Sequence, residues 1–393
     1  MSVIQKAVPN FRRSSLLVLY IVGFIFALRT ALPSYVNSSF LSQITAEKLV
    51  GIIYAIASIL TIIGFFAIPW ILSRLGNYRT VIGLSAINTA VLAVLALANN
   101  PLVLLVAFLI AYVVTILIGY CFDVFVEHYS RNVETGRIRS FYLTSINIAW
   151  IFAPLASAYL SGENSFQKVF LISAFIMAIV VLVATLSLRD FKDTRYKHFK
   201  LLDTVKEIAD NKNIRSITMA NLLLHIFYSW MIIYTPIYLN QYLGFSWQQI
   251  GVAFTIMLVP FILVQVPLGW LADKKLGEKE LLCVGFLIMA ISTCVLTFMS
   301  AKSFLLWGVM LFITRVGAAV IEIMTETYFF KKINTENTNL ISVFRMTSPI
   351  AYVIGPLLAT WFLSYFGMNY MFVALGVIML LGIKYSLAIE DTR

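Results

Sequence analysis

Apolar runs of about 20 residues, separated by short polar turns, follow one another along almost the whole of this 393-residue chain. A run of that length is what an α-helix needs to cross the hydrocarbon of a bilayer. Backbone amides in hydrocarbon must find partners inside their own segment, so helices rather than open sheets are expected. The runs lie near 15–36, 48–72, 79–98, 101–126, 139–161, 166–188, 214–240, 246–272, 279–300, 302–328, 339–364 and 367–388. Twelve spans are therefore expected. The polar breaks Asn99-Asn100-Pro101 and Ser300-Ala301-Lys302 divide stretches too long for one crossing. The first run is long enough to span and has no cleavage-site pattern behind it, so it reads as a helix and not as a signal peptide.

Composition excludes the soluble alternative. Charged residues make up 12% of the chain and hydrophobic ones 61%, where a soluble domain carries roughly 25% charged residues. The net charge of +11 would suggest nucleic acid in a soluble protein. Here the basic residues sit in loops, and no nucleic-acid partner is expected. Cys121, Cys283 and Cys294 all lie in apolar runs without metal-type or disulfide spacing. No metal or other cofactor is expected.

Orientation follows from the loop bases, because Lys and Arg collect on the cytoplasmic side. With a cytoplasmic N-terminus, 22 of the 29 basic residues fall on the cytoplasmic side. The opposite loops hold Lys48, Lys168 and Lys302. Both termini are thus expected in the cytoplasm of a multi-pass protein of the cell membrane, working as a monomer. The longest polar stretch follows the sixth run. Within it Phe199, Leu201, Leu202, Val205 and Ile208 recur at helical spacing, as in an amphipathic helix at a membrane surface. The expected division is a bundle over 1–188, a cytoplasmic linker over 189–213 and a second bundle over 214–393.

The two bundles resemble each other at an offset near 200. Pro33-Ser34-Tyr35-Val36-Asn37 matches Pro236-Ile237-Tyr238-Leu239-Asn240. Asp123, Glu127 and Tyr129 match Glu322, Glu326 and Tyr328 in spacing, and Ala153-Pro154-Leu155 matches Gly355-Pro356-Leu357. The order of these matches argues for duplication. Six-helix halves related by an axis along the membrane normal are a known transporter plan.

At this point the chain resembles the major facilitator superfamily. The likeness covers the whole length: twelve spans, a charged central loop and paired halves. The loop after the eighth run, Gly269-Trp270-Leu271-Ala272-Asp273-Lys274-Lys275-Leu276-Gly277, is similar to the superfamily's signature loop. The matching residues are Gly269, Asp273 and Gly277. The first-half copy keeps Gly76 and the bases Arg74 and Arg79 but has Ser73 where the acid belongs. The resemblance implies an all-α fold of two six-helix bundles related by a pseudo-two-fold axis. It also implies a secondary transporter that moves a small solute by alternating access.

An ionisable group inside a span is costly and marks a site or a buried pair. Arg315, Glu322 and Glu326 fall on one stripe of the tenth run, both acids within about 20° of Arg315 at 100° per residue. Arg345 lies on the next run at the depth of Glu322, so it is expected to pair with Glu322 or Glu326. Two readings stay open for the helix-end acids. Asp123, Glu127, Glu322 and Glu326 close a cytoplasmic gate with Arg74, Arg345 and Lys274, or one of them carries a proton, as a carboxylate in a dry setting can. Arg29 and Arg315 suit an anionic solute, since guanidinium forks bind carboxylate and phosphate. The superfamily's plan brings the first, fourth, seventh and tenth helices to its cavity, which carries both arginines there by resemblance. His225 and Tyr234 of the seventh run are further candidates for binding or proton relay, with packing as the simpler role.

The likeness of Ala153-Pro154-Leu155-Ala156 to the superfamily's antiporter motif is faint, which weakens a drug-efflux reading. An efflux antiporter and a non-transporting receptor remain the alternatives. No phosphate-cradling glycine loop occurs, so ATP is not the fuel. Three scattered histidines supply no catalytic cluster, so the chain is not expected to be an enzyme. Its partners are the bilayer, a small solute and, as a candidate coupling ion, the proton.

Overall fold

The computed structural model describes residues 4–130, 135–162, 165–189, 201–264, 277–299, 302–332 and 338–390, apart from the side chains of some residues near helix ends. Among these residues the ordered elements are helical throughout. In chain order they are α1 (Ile4–Ser34), α2 (Asn37–Ile44), α3 (Glu47–Leu75), α4 (Asn77–Leu97), α5 (Pro101–Ser130), α6 (Thr135–Ser161) and α7 (Gln167–Ser187). These are followed by α8 (Leu201–Asp210), α9 (Lys212–Ile237), α10 (Trp247–Leu258) and α11 (Pro260–Leu263). The last four are α12 (Glu278–Leu296), α13 (Phe304–Lys332), α14 (Thr338–Tyr365) and α15 (Met371–Ala388).

Ten helices among the described residues are long and apolar enough to cross a membrane. The two remaining expected spans, 139–161 and 246–272, fall on α6 and on α10–α11, where the described residues are incomplete. α10 and α11 form one shorter apolar helical stretch, Trp247–Leu263, kinked where Pro260 begins the second piece. Exposed side chains on these helices are large and apolar, such as Phe66, Trp70, Phe152, Phe175, Phe298 and Trp361. Such outward apolar faces suit lipid, since hydrocarbon does not penalise them.

The chain divides into two compact units. Unit 1 comprises Met1–Val36 and Ile63–His198, and unit 2 comprises Asn37–Ile62 and Phe199–Arg393. The boundary cuts α3, whose first half, up to Ile62, groups with the second set of helices. In unit 1, α1 packs on α6 and α7, and α4 packs on α5 and α7. In unit 2, α9 packs on α14, α15 and α13, while α12 packs on α13 and α15. α8 of the linker lies against α14 and α9. It is helical where the apolar spacing placed a helix, but Thr204 and Ile208 are buried while Val205 is exposed. The i, i+4 pair that faces the protein is therefore Thr204 and Ile208.

Two local departures from the sequence reading have clear causes. The stretch after the first run was expected to be a loop, yet Asn37–Ile44 forms α2, with Phe40 and Leu41 buried. Eight residues with two buried apolar side chains form a helix by packing, not by propensity. The matched Pro-x-Tyr-x-Asn pieces also fold differently. The first ends α1 and starts α2, whereas the second runs from α9 into a π turn over Tyr238–Tyr242. There Asn240 Nδ2 donates to Phe245 O at 3.0 Å and ties off the turn.

Candidate functional site

Unit 2 gathers its intramembrane polar groups between α9, α13 and α14. α13 can approach α12 closely because Gly317 has no side chain. A Cβ there would meet Gly285 O and Met289 N, both at 2.7 Å. Two residues earlier, and so about 200° around the helix, Arg315 points the other way, toward α9. It is 2% exposed. Its guanidinium carbon lies 4.9 Å from the Phe227 ring centre and 5.3 Å from that of Tyr228. The rings offer a cation their negative faces. They offer no acceptor lone pair, and Arg315 Nε and Nη1 are buried without a hydrogen-bond partner.

The Tyr228 hydroxyl donates to Glu322 Oε2 at 3.2 Å. One residue thus places its ring beside a cation and its hydroxyl on a carboxylate. One turn further along α13, Glu326 meets Arg345 of α14. Both arms of the guanidinium engage the carboxylate: Nη1 bonds Oε1, and Nη2 bonds Oε2 at 3.0 Å. Of the two partners expected for Arg345, Glu326 is the one that the structure shows in this two-pronged pair. His225 stands one turn before the Tyr228–Phe227 pair on α9, its ring edge-on to Tyr228 with centroids 5.8 Å apart. Another turn back, Asn221 Nδ2 donates to Thr347 Oγ1 of α14 at 2.8 Å.

Tyr234 lies elsewhere. Six residues beyond Tyr228, it faces α14, where its hydroxyl donates to Pro356 O at 3.2 Å. Trp230, one turn earlier, donates Nε1 to Gly355 O at 2.6 Å. Proline removes a backbone donor and upsets the helical ladder, and two α9 side chains bind the carbonyls of Gly355 and Pro356. The Tyr234 hydroxyl also lies against Gly51 of α3. Nearby, Gln241 Nε2 donates to Ser42 Oγ at 3.1 Å and the Tyr242 hydroxyl donates to Glu47 Oε1 at 3.3 Å.

In unit 1, Arg29 is 2% exposed. Its Nη1 donates to Thr115 Oγ1 of α5 at 2.8 Å. Asn88 of α4 donates to the same oxygen at 3.1 Å and to Ala111 O at 3.2 Å. Arg29 is therefore turned into its own unit. At the helix ends, Arg74 lies over the Trp70 ring at 4.3 Å, and Asp123 is exposed. Gly277 caps α12, whose first-turn Glu278 is 1% exposed and takes Lys331 Nζ at 2.8 Å. A carboxylate there also suits the positive end of the helix. Gly269, Asp273 and Lys274 of the signature-like loop, and the Glu127 side chain, lie outside the described residues.

Tyr228 stood in the sequence only as one of several aromatics near His225, and Asn88, Thr115 and Asn221 were not singled out. Asn88 and Asn221 had a signal. An amide inside an apolar run is expensive without a partner, and both amides are buried and bonded across helices.

Long apolar helices with buried charges inside them define a multi-pass membrane protein of the transporter kind. The family model described as Major Facilitator Superfamily matches residues 19–247 and again residues 217–390. The chain belongs to the major facilitator superfamily of membrane transporters, and its all-α architecture is that superfamily's fold. No curated protein matches the chain.

Proposed function

We propose that this protein is a secondary active transporter that moves a small organic anion across the cytoplasmic membrane by alternating access, together with a proton. The observation that carries the reading is Arg315. A guanidinium in the middle of an apolar helix, buried with Nε and Nη1 unserved, has a strong need for an anion. A carboxylate or phosphate supplies two acceptors in the plane of the fork.

Glu322 is the proton carrier in this scheme. It shares Tyr228 with Arg315, so its charge and that of the solute compete for one cation. Protonation of Glu322 removes its negative charge and leaves Arg315 to the solute. The Glu326–Arg345 pair, nearer the cytoplasmic end of its helix, holds α13 to α14 and belongs to the gate. Both termini face the cytoplasm, as the distribution of loop bases requires.

The test is uptake by proteoliposomes of labelled mono- and dicarboxylates, phosphate esters, sugars and organic cations, with and without an imposed pH gradient. Anion uptake that rises with the gradient is expected. Glu322→Gln is expected to retain counterflow exchange of the anion and lose the gradient response. Transport confined to neutral or cationic solutes overturns the anion reading. A full gradient response in Glu322→Gln overturns the proton role of that residue.

A further inference from the structure

Unit 1 holds a second buried guanidinium with a different setting. Arg29 rests on a hydroxyl and not on aromatic rings. Among the described residues of unit 1 the one carboxylate is Asp123, eight residues along α5 from Thr115, or about 12 Å of helix. Glu127 lies four residues further along the same helix. At that separation along the helix Asp123 does not reach Arg29 at the level of Thr115. A charge so placed is costly until a counter-charge arrives.

Arg29 ends a short polar chain inside the unit, in which Thr115 Oγ1 accepts from it and in turn donates to Ala111 O. Arg29 Nε is buried and unpartnered. Asn88 presents its Nδ2 to the same Thr115 oxygen that Arg29 uses. Ser85, one turn back on the same face of α4, is 1% exposed with its hydroxyl unpartnered. α1 packs mainly on α6 and α7. One turn below Thr115, a Cβ added at Gly119 would find only Phe26 Cε1 at 3.9 Å.

We propose that Arg29, Thr115 and Asn88 form an anion-binding subsite inside unit 1 that takes one negative charge, either a carboxylate group or a halide ion. The subsite extends the anion reading above but does not depend on the proton step at Glu322. The anion pairs with the free edge of the Arg29 guanidinium. The Thr115 hydroxyl and the Asn88 amide orient that guanidinium.

The experiment is a thermal-unfolding titration of the purified full-length protein with sodium acetate or sodium chloride, at ionic strength held constant with sodium isethionate, which carries no carboxylate. Saturable stabilisation of the wild type is expected. A response to acetate alone assigns the subsite to a carboxylate, and a response to chloride assigns it to a halide; either supports the proposal. In an Arg315→Met background, which removes the unit 2 guanidinium, Arg29→Met is expected to abolish the response that remains. Thr115→Val, which keeps the charge and removes one hydroxyl, is expected to weaken it about tenfold, the effect of one hydrogen bond to a charged group. That second variant decides the matter if Arg29→Met does not fold. Arg315→Met alone is expected to leave a saturable response, the share carried by Arg29. No saturable response in the wild type, or an unchanged response in both unit 1 variants, overturns the subsite. Loss in Arg315→Met with retention in Arg29→Met moves the anion to unit 2, which sinks this proposal and leaves the transport reading standing.

Discussion

Arg345 of α14 closes both arms of its guanidinium on the carboxylate of Glu326 on α13. The two helices are consecutive in the chain, and this pair bolts them together near the turn that joins them. Neither side chain is fully enclosed, with 32% and 23% exposure, so solvent screening discounts the attraction. Two-pronged geometry works the other way. A coupling of about 1–2 kcal/mol is the expected balance. Arg345→Gln and Glu326→Gln should each lower the unfolding temperature, and the double variant should cost less than their sum. A double-mutant cycle by thermal unfolding reads the coupling directly; strict additivity would remove the pair from the stability argument.

Tyr228 offers a cleaner separation of two roles. Tyr228→Phe keeps the ring beside Arg315 and deletes only the hydroxyl that serves Glu322. A hydrogen bond to a charged group contributes about 1.5–3 kcal/mol. Tyr228→Phe should therefore change the pH dependence of uptake while leaving anion affinity close to that of the wild type. Tyr228→Leu, which also removes the aromatic face, should lower affinity as well. Equal effects of the two variants on both quantities would contradict the assignment of hydroxyl and ring to separate partners.

These side chains show how far the sequence could be read. Hydropathy located the spans because about 20 apolar residues have one comfortable environment. The spacing of Arg315, Glu322 and Glu326 located a polar stripe on α13, and the matched depth of Arg345 narrowed its partner to two carboxylates. Periodicity says which residues share a face, but not where the helix turns that face. Arg29 was placed toward a cavity by resemblance, and resemblance could not name Thr115, the residue its guanidinium bonds. The role of Tyr228 was hidden for the same reason, since its value depends on two residues nearly a hundred positions away. α2 was invisible because its helicity comes from burial of Phe40 and Leu41, which hydropathy alone does not show.

Gly51 makes a steric prediction. A Cβ there would run into the Tyr234 hydroxyl, meet Thr360 Oγ1 at 2.5 Å and approach Pro356 O to 3.1 Å. A backbone carbonyl cannot step aside, and overpacking of this sort costs about 1–3 kcal/mol. Gly51→Ala should therefore loosen the packing of outer α3 on α9 and α14 and raise the labelling rate of a cysteine introduced at Ser42. Tyr234→Phe removes the nearest atom, so Gly51→Ala should be milder in that background than alone. Equal labelling in Gly51→Ala and its parent would show that the helices do not need this contact.

Asn221 and Thr347 carry the last prediction. Their hydrogen bond is buried on both sides, at 4% and 3% exposure, and joins α9 to α14. Interhelical hydrogen bonds in membranes contribute about 0.6 kcal/mol on average and up to about 1.7. Leaving one buried donor unserved costs more than replacing both partners by apolar groups. Thr347→Val strands the Asn221 amide, so it should destabilise more than the double change Asn221→Leu with Thr347→Val. The order of the two unfolding temperatures is the measurement. If the single variant is the more stable of the two, the Asn221 amide has found another acceptor and the bond does not hold these helices in register.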